Sequence, residues 1–215
     1  TELTNTPVRE FMRPNLFANT PDILPEFLQH SGPNGFRIRL VLAATLGATY
    51  GIYGPVYEFN DARALPEREE YLDSEKFQLQ HWEWSRPNVF REFISLVNRI
   101  RRENPALHSD ERLKFYEVDN ERLLFYGKTT PDLSNIILVV VNLDPHHTQS
   151  GWLRMPLAEL GLTAGESYQV HDLITNAHFL WQGESNFVQV DHGVSAHVLR
   201  LRRRVRTEHD FDYFL

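Results

Sequence analysis

The spacing of apolar residues changes character near residue 107. Ahead of that point apolar residues come in short runs or at helical spacing, and beyond it they alternate with polar ones. Leu16, Phe17 and Ala18 form a short run that predicts a fully buried parallel strand, with residues 19–22 at its carboxyl end. The cluster Ser31-Gly32-Pro33-Asn34-Gly35 predicts a turn. Phe36, Ile38, Leu40, Val41, Leu42, Ala44 and Leu46 then predict a helix apolar around most of its circumference, ended by Gly47. Residues 50–53, bracketed by Gly51 and Gly54, predict a second short strand. A charged, aromatic-rich connection spans residues 55–86, far beyond the two to six residues typical of a strand-to-helix loop, and loops of that length carry function. Ser85-Arg86-Pro87 predicts the next helix start. Phe90, Phe93, Val97 and Ile100 form its buried stripe, Arg91, Ser95, Arg99 and Arg102 face away, and Asn104-Pro105 stops it. Strand, helix, strand, helix is the order of two consecutive β/α units with a parallel sheet.

Beyond Leu107, residues 113–118, 122–128, 136–142, 152–155, 168–173, 178–181, 187–190 and 196–201 alternate as short strands, with turns at Asp119-Asn120 and Pro131-Asp132. Their even spacing predicts an antiparallel β-sandwich. The expected fold class is therefore α/β plus all-β. Residues 1–107 form the α/β part, 108–204 the sandwich and 205–215 a tail.

Composition narrows the picture. At 215 residues and 41% hydrophobic the chain holds one large domain or a domain and a half, so a full eight-unit barrel of about 250 residues cannot fit, and at most a slice is present. A net charge of −7 speaks against nonspecific nucleic-acid binding, because the phosphate backbone demands a basic face. The absence of Cys removes thiol chemistry, thiolate metal sites and disulfides, and suits a reducing cytosol. No apolar run approaches the roughly 20 residues that cross a bilayer and no signal peptide opens the chain, so a cytoplasmic protein without membrane partners is expected. Thr1 stands where an initiator Met would, as in a fragment or a cut or processed chain.

The candidate chemistry starts with Asp22. At the carboxyl end of a parallel strand it would sit where alternating β/α barrels place their reactive groups; just ahead of Ile23, Leu24 and Phe27, spacing alone favours a helix cap instead. Glu58, Asp61, Glu69, Glu70, Asp73 and Glu75 end no predicted strand, and for most a solvated charged loop is the better reading. His146 and His147 are adjacent, and neighbours in an extended segment point to opposite sides, so no metal is expected. Trp152, Phe179 and Trp181 could form a sugar-stacking platform, though such aromatics are more often core. Arg200, Arg202, Arg203, Arg204 and Arg206, followed by an acidic tail, read as a solvated or self-paired end.

Four strings in order carry a resemblance. Arg13-Pro14-Asn15-Leu16-Phe17-Ala18-Asn19-Thr20-Pro21-Asp22, Tyr50-Gly51-Ile52-Tyr53-Gly54, Glu69-Glu70-Tyr71-Leu72-Asp73-Ser74-Glu75-Lys76 and Asn98-Arg99-Ile100-Arg101-Arg102-Glu103-Asn104-Pro105-Ala106-Leu107 resemble the carboxyl-terminal part of the maltosyltransferase branch of glycoside hydrolase family 13. The resemblance runs from about residue 11 to 202. It implies the last two β/α units of a (β/α)8 barrel followed by the carboxyl-terminal β-sandwich. It implies transfer of maltosyl units from maltose 1-phosphate to α-1,4-glucan, with no cofactor and compatible with a homodimer; a noncatalytic glucan-binding or interaction module and part of an amylase-like α-glucan hydrolase are the alternatives. Such enzymes need two carboxylates about 5 Å apart. By the resemblance the nucleophile and the acid/base lie upstream of this chain, which is expected to be inactive alone. Asp22 falls on the third, transition-state-stabilising aspartate. Pro21 stands before it, as in this branch, where amylases often have His. Asn19 is expected to bind substrate, holding the loop, and Lys76 to reach maltosyl hydroxyls, although Lys76 without the resemblance reads as a surface lysine. Phe77 replaces a Tyr of many relatives. Part of a barrel would leave an unpaired apolar edge, so residues before 107 are expected to be loose and the sandwich to fold by itself.

Overall fold

The computed structural model describes residues 4, 6–75 and 79–202. The expectations for Lys76, Phe77, Arg203, Arg204, Arg206 and the 205–215 tail lie outside them. β1 (Asn15–Phe17) and β2 (Thr49–Gly51) run parallel, with Leu16 opposite Tyr50. Between them lie α1 (Glu26–His30) and α2 (Gly32–Leu46), and after them come α3 (Gly54–Glu58) and α4 (Val89–Glu103). The strand, helix, strand, helix order is thus present, with three local corrections.

Phe17 is 52% exposed and Leu16 only half-buried, so β1 is not a fully buried strand. Only β2 pairs with it among the described residues, and the Phe17 ring lies instead over Gly51, where a Cβ would come within 2.4 Å of it. β2 starts one residue early and ends at Gly51, because Tyr53 already caps α3 ahead of Pro55. Asn88, not the Ser85-Arg86-Pro87 stretch, begins α4: its side chain accepts from the N–H groups of Phe90 (3.0 Å) and Arg91 (3.3 Å), two donors a helix start leaves without partners.

α2 is buried nearly all round, as its composition predicts, with Phe36, Ile38, Leu40, Val41 and Ala44 inaccessible. Phe36, Tyr57 of α3 and Phe90 of α4 pack with ring centroids 5.0–6.2 Å apart, and the Tyr57 hydroxyl donates to the Phe36 carbonyl at 2.6 Å. The far end of α2 is met by cations. Arg101 of α4 donates to the carbonyls of Ala44, Gly47 (3.2 Å) and Ala48 (2.7 Å). Lys128 reaches the Leu46 carbonyl at 3.2 Å from a position 1% exposed, with Asp110 3.4 Å away. Burial pulls the Lys128 ammonium down to about 8 and Asp110 resists that, so it stays protonated at neutral pH. Two positive groups at a helix carboxyl end satisfy carbonyls that would otherwise be buried unpaired.

All eight strands predicted beyond Leu107 are present. They form a six-stranded sheet in the order β3 (Lys114–Tyr116), β4 (Leu123–Thr129), β5 (Ile136–Asn142), β10 (Ala196–Arg202), β7 (Ser167–Asp172), β8 (His178–Gln182), and a ribbon of β6 (Gln149–Arg154) and β9 (Ser185–Val190). Every pairing is antiparallel. The ribbon covers one face of the sheet: Leu153, Val188 and Val190 pack with Phe125, Leu138, Val140, Tyr168, Val170 and Leu199. The other face is covered by the helices. Tyr126, Ile137, Val139, Val141, Ala196 and Val198 share one cluster with Phe36, Leu40, Phe90 and Leu107, so the two parts of the chain have a common core. Arg200 and Arg202 lie within β10 rather than after the last strand.

Polar ties reinforce both contacts. Asn135, in the turn before β5, accepts from Ala106 N–H (3.0 Å) and donates to Asn104 Oδ1 (3.0 Å), joining the end of α4 to the sheet. On the ribbon side, His197 of β10 donates from Nδ1 to buried Asp172 (2.9 Å) and from Nε2 to the Gln189 carbonyl of β9 (2.9 Å). Both partners accept, so this geometry suits the imidazolium. Burial opposes that charge, but the two acceptors outweigh it and raise the His197 pKa, while burial acting on Asp172 is outweighed by His197 and Thr175 and its pKa falls.

Two predictions follow from the layers. The raised His197 contributes stability below its unfolded value of about 6.5 that is lost as pH rises through its folded value. The depressed Asp172 contributes above about 3.9, and that is lost on acidification. Urea midpoints of the chain and of His197→Gln should therefore differ most between about pH 4 and 6.5 and converge toward pH 9; a gap that widens with alkalinity contradicts the clamp. Second, residues 108–202 alone would uncover Ile137, Val139, Val141 and Val198, each worth about 1.5–3 kcal/mol of burial, together on the order of 10 kcal/mol. That rivals the whole stability of a domain, about 5–15 kcal/mol. The severed piece should bind an apolar dye and unfold without a sharp transition, and a native-like cooperative midpoint would show that the helices are dispensable.

Candidate functional site

The carboxyl ends of β1 and β2 are joined through Asn19, one residue after the buried Ala18 and itself 2% exposed. Its Oδ1 accepts from Tyr53 N–H at 2.8 Å, and its Nδ2 donates to the Tyr53 carbonyl (3.3 Å) and the Tyr71 hydroxyl (2.7 Å). One amide thus ties the segment after β1 to the segment after β2 and to the long connection. Both of its N–H donors are spent on the protein.

Asp22 follows in the turn Thr20–Ile23. That turn is closed by backbone bonds in both directions (3.2 and 3.3 Å) and by Thr20 Oγ1 accepting from Ile23 N–H at 3.0 Å. Asp22 lies in it as an exposed residue. It is not a helix cap: α1 begins at Glu26 behind Pro25, with no side-chain cap. The capping alternative therefore fails, because Pro25 intervenes and Glu69 of the long connection accepts the Glu26 N–H instead, at 2.6 Å.

Among the described residues of the connection, 59–75 and 79–86, Glu69 and Glu70 are exposed as a solvated loop would have them, whereas Asp61, Asp73 and Glu75 are partly buried and paired. Arg63 holds Asp61 with two bonds (2.7 and 2.9 Å) and Asp73 at 3.3 Å, and Ala64 bridges to Tyr71. Arg91 pairs with Glu58 at 3.0 Å. The connection folds back over the β1 side: the Glu69 carbonyl accepts from Leu24 N–H (2.9 Å), and Ser74 donates to the Pro21 carbonyl (3.2 Å), next to Asp22.

Glu75, adjacent in sequence to Lys76, accepts from the Tyr53 hydroxyl and from Trp82 Nε1 (3.0 Å), one bond on each oxygen. Burial first, then the Glu75 carboxylate, raises the Tyr53 phenol, so it remains a donor at any physiological pH. Burial likewise pushes Tyr71 up to about 12 against the Asn19 bond. Trp82 stacks on Phe59 with centroids 5.3 Å apart and planes at 14°. Tyr53, Tyr71 and Trp82 had not been singled out. The first two lie in strings already used for the resemblance; the signal for Tyr53 was an aromatic hydroxyl at the end of a predicted strand, whereas Tyr71, deep in the connection, carried none of its own. Asp22 thus lies exposed on a braced turn that the connection touches through Ser74, and Glu75 with Tyr53 and Trp82 braces the connection itself.

Elsewhere, His146 and His147 sit in a turn rather than an extended segment, with His147 Nδ1 3.0 Å from Asp144. No group of three or more candidate ligands among the described residues could hold a metal ion. No helix among them is long and apolar enough to cross a membrane. Trp181 is core, as expected, whereas Trp152 (52% exposed) and Phe179 (42%) are not.

Helices against one face of an antiparallel sandwich, led by a parallel strand pair, make an amylase-like fold. An α-amylase from Geobacillus thermoleovorans in complex with acarbose superposes with a TM-score of 0.61 at 12% identity, over 88% of this chain and 39% of that one. AmyP in complex with maltotriose gives 0.63 at 15%, over 87% and 41%. Sequence is more specific. Residues 115–201 match the family described as GLGE, C-terminal. The α-1,4-glucan:maltose-1-phosphate maltosyltransferase of Myxococcus xanthus is 45% identical over 213 residues, 99% of this chain and 32% of that protein. That of Chlorobaculum tepidum is 47% identical over 208 residues, 94% and 31%. The chain belongs to this maltosyltransferase family and spans about a third of the length of the curated relatives it matches.

If Asn19 is the tie described, Asn19→Ala strands the Tyr53 N–H and frees Tyr71, a loss of about 1–3 kcal/mol. Urea unfolding should show that loss, and amide exchange should quicken at Tyr53 and Tyr71 more than in the sandwich. Uniform exchange would mean that the amide does not hold this end of the structure.

Proposed function

We propose that the chain supplies the donor-sugar side of a retaining maltosyltransferase that moves maltosyl units from maltose 1-phosphate to the end of an α-1,4-glucan. In this reading residues 1–107 are the last two β/α units of a (β/α)8 barrel, 108–204 its carboxyl-terminal sandwich and 205–215 a tail. The observation that carries it is Asp22, held on a braced turn beyond the carboxyl end of a parallel strand in a chain with 45–47% identity to maltosyltransferases.

The chemistry assigned to Asp22 is electrostatic. A carboxylate accepting hydroxyl hydrogens of the donor ring gains strength as the ring flattens toward an oxocarbenium ion, and an interaction stronger in the transition state than in the ground state accelerates the step. Asn19 and Ser74 keep the Asp22 turn in place, and Glu75 and Tyr53 hold the connection that leads into Lys76, whose ammonium would donate to the remote sugar. The nucleophile and the acid/base belong, in this reading, to strands of the longer enzyme, so this chain alone turns over neither maltose 1-phosphate nor glucan. A cytosolic setting and a homodimer belong to the same proposal.

The test uses a full-length family member carrying this chain's residues. Asp22→Asn should cut phosphate release from maltose 1-phosphate in the presence of glycogen by at least about a hundredfold, roughly 2.7 kcal/mol of barrier, with an unchanged melting temperature. Near-normal turnover would sink the assignment.

A further inference from the structure

The ribbon β6–β9 turns one face to the core and the other to solvent, and the outer face has a composition that neither the fold nor the proposed reaction requires. Its residues alternate strictly, with Ser150, Trp152 and Arg154 of β6 and Ser185, Phe187 and Gln189 of β9 outward. The register sets Trp152 opposite Phe187, Ser150 opposite Gln189 and Arg154 opposite Ser185. At the centre Trp152 and Phe187, 52% and 51% exposed, face each other with centroids 5.5 Å apart and planes at 64°. The pair is held from behind and from the side. Leu153 and Val188 anchor the ribbon in the core, and the Trp152 N–H donates to Asp119 at 2.6 Å while its carbonyl accepts from Asp119 N–H at 3.3 Å.

We infer that this outer face, centred on Trp152 and Phe187, is a binding ledge for an α-1,4-glucan chain, separate from the Asp22 site. The glucan class rests on the maltosyltransferase reading; the ledge itself rests on its own chemistry. Two preset aromatic faces bury the apolar face of a sugar ring at little cost in side-chain entropy. Their mutual tilt follows a curved chain better than a flat one. Serine, glutamine and serine flank them, and the one charged outward residue, Arg154, is compensated by Glu117 at 3.1 Å. The face therefore offers stacking and neutral hydrogen bonds, with one paired charge, Arg154, and one carboxylate at its edge, Asp119, which fits a neutral polyhydroxylated ligand better than a nucleic acid. Area decides against a second copy of the chain. Two strands of six residues present about 20 by 10 Å, roughly 200 Å², against about 800 Å² per partner in a stable protein interface.

The experiment is native electrophoresis of the 215-residue chain through gels holding graded glycogen or, as control, the α-1,6-linked dextran. Glycogen should retard the chain and dextran should not. Trp152→Ala and Phe187→Ala should each weaken retardation about tenfold, and Trp152→Phe should keep most of it. Gln189→Ala leaves the ribbon core untouched and should weaken it less, which covers the case in which an aromatic variant fails to fold; circular dichroism reports folding for each. Unaltered mobility of the parent chain in glycogen overturns the ledge, as does equal retardation of all variants. So does a dimer in sedimentation that Phe187→Ala dissolves, since a second copy would then cover the face. None of these results touches the Asp22 assignment, which is read from phosphate release.

Discussion

A β-sheet that is apolar on both faces must be covered twice, and that requirement organises this molecule. β5 makes it plain, since all seven of its residues are buried, alternating between the ribbon side and the helix side. The ribbon is a short two-stranded sheet of its own and serves one face; the other falls to α2 and α4, which belong to the first half of the chain. Covering the sheet with α2 in turn draws that helix's carboxyl end inward, with Ala44 and Gly47 buried and Leu46 and Ala48 partly so. Arg101 and Lys128, one from each half of the chain, meet its carbonyls there. The cost of burying the ammonium is evident in its lowered pKa, and it is tolerated because the alternative is unpaired carbonyls in the core.

The same constraint explains what could be read from sequence. Alternation in β4, β7, β9 and β10 and the continuous run of β5 are imposed by packing on one or both faces, so the strands were legible to within a few residues. The stripe of α4 was equally plain. Its start was not, because Ser85-Arg86-Pro87 and Asn88 offer capping chemistry side by side, and only the geometry shows which side chain turns onto Phe90 and Arg91. Phe17 was read as buried because a parallel strand normally has neighbours on both sides. Among the described residues β1 has one, and Gly51 takes the ring instead.

At the site, the legible part was the string from Asn19 to Asp22, and the illegible part was its support. An amide that bonds two backbone groups 34 positions away and a hydroxyl 52 positions away leaves no local signature. The charges of the long connection looked like a solvated surface because each partner is as polar as the next. Arg63 between Asp61 and Asp73, and Glu75 between Tyr53 and Trp82, become a framework only once the chain doubles back. Trp152 and Phe179 erred in the opposite direction. Aromatic residues in a strand are usually core, but both of these point outward, and the parity of β6 and β9 sets Phe187 beside Trp152 on the same outer face.

That parity also fixes how the two proposed glucan contacts relate. The Asp22 turn belongs with β1 and β2 to the layer of helices, and the ledge belongs to the ribbon on the other side of the six-stranded sheet. The sheet stands between them, so a sugar stacked on Trp152 cannot also touch Asp22. The ledge therefore cannot stabilise the reaction's charge, and what it can supply is proximity. Holding one part of a long polysaccharide on the same body raises the local concentration of its ends, an effect that depends on chain length and vanishes for acceptors too short to span the sheet. Long and short acceptors thus probe different parts of the molecule, the first both surfaces and the second the Asp22 side alone.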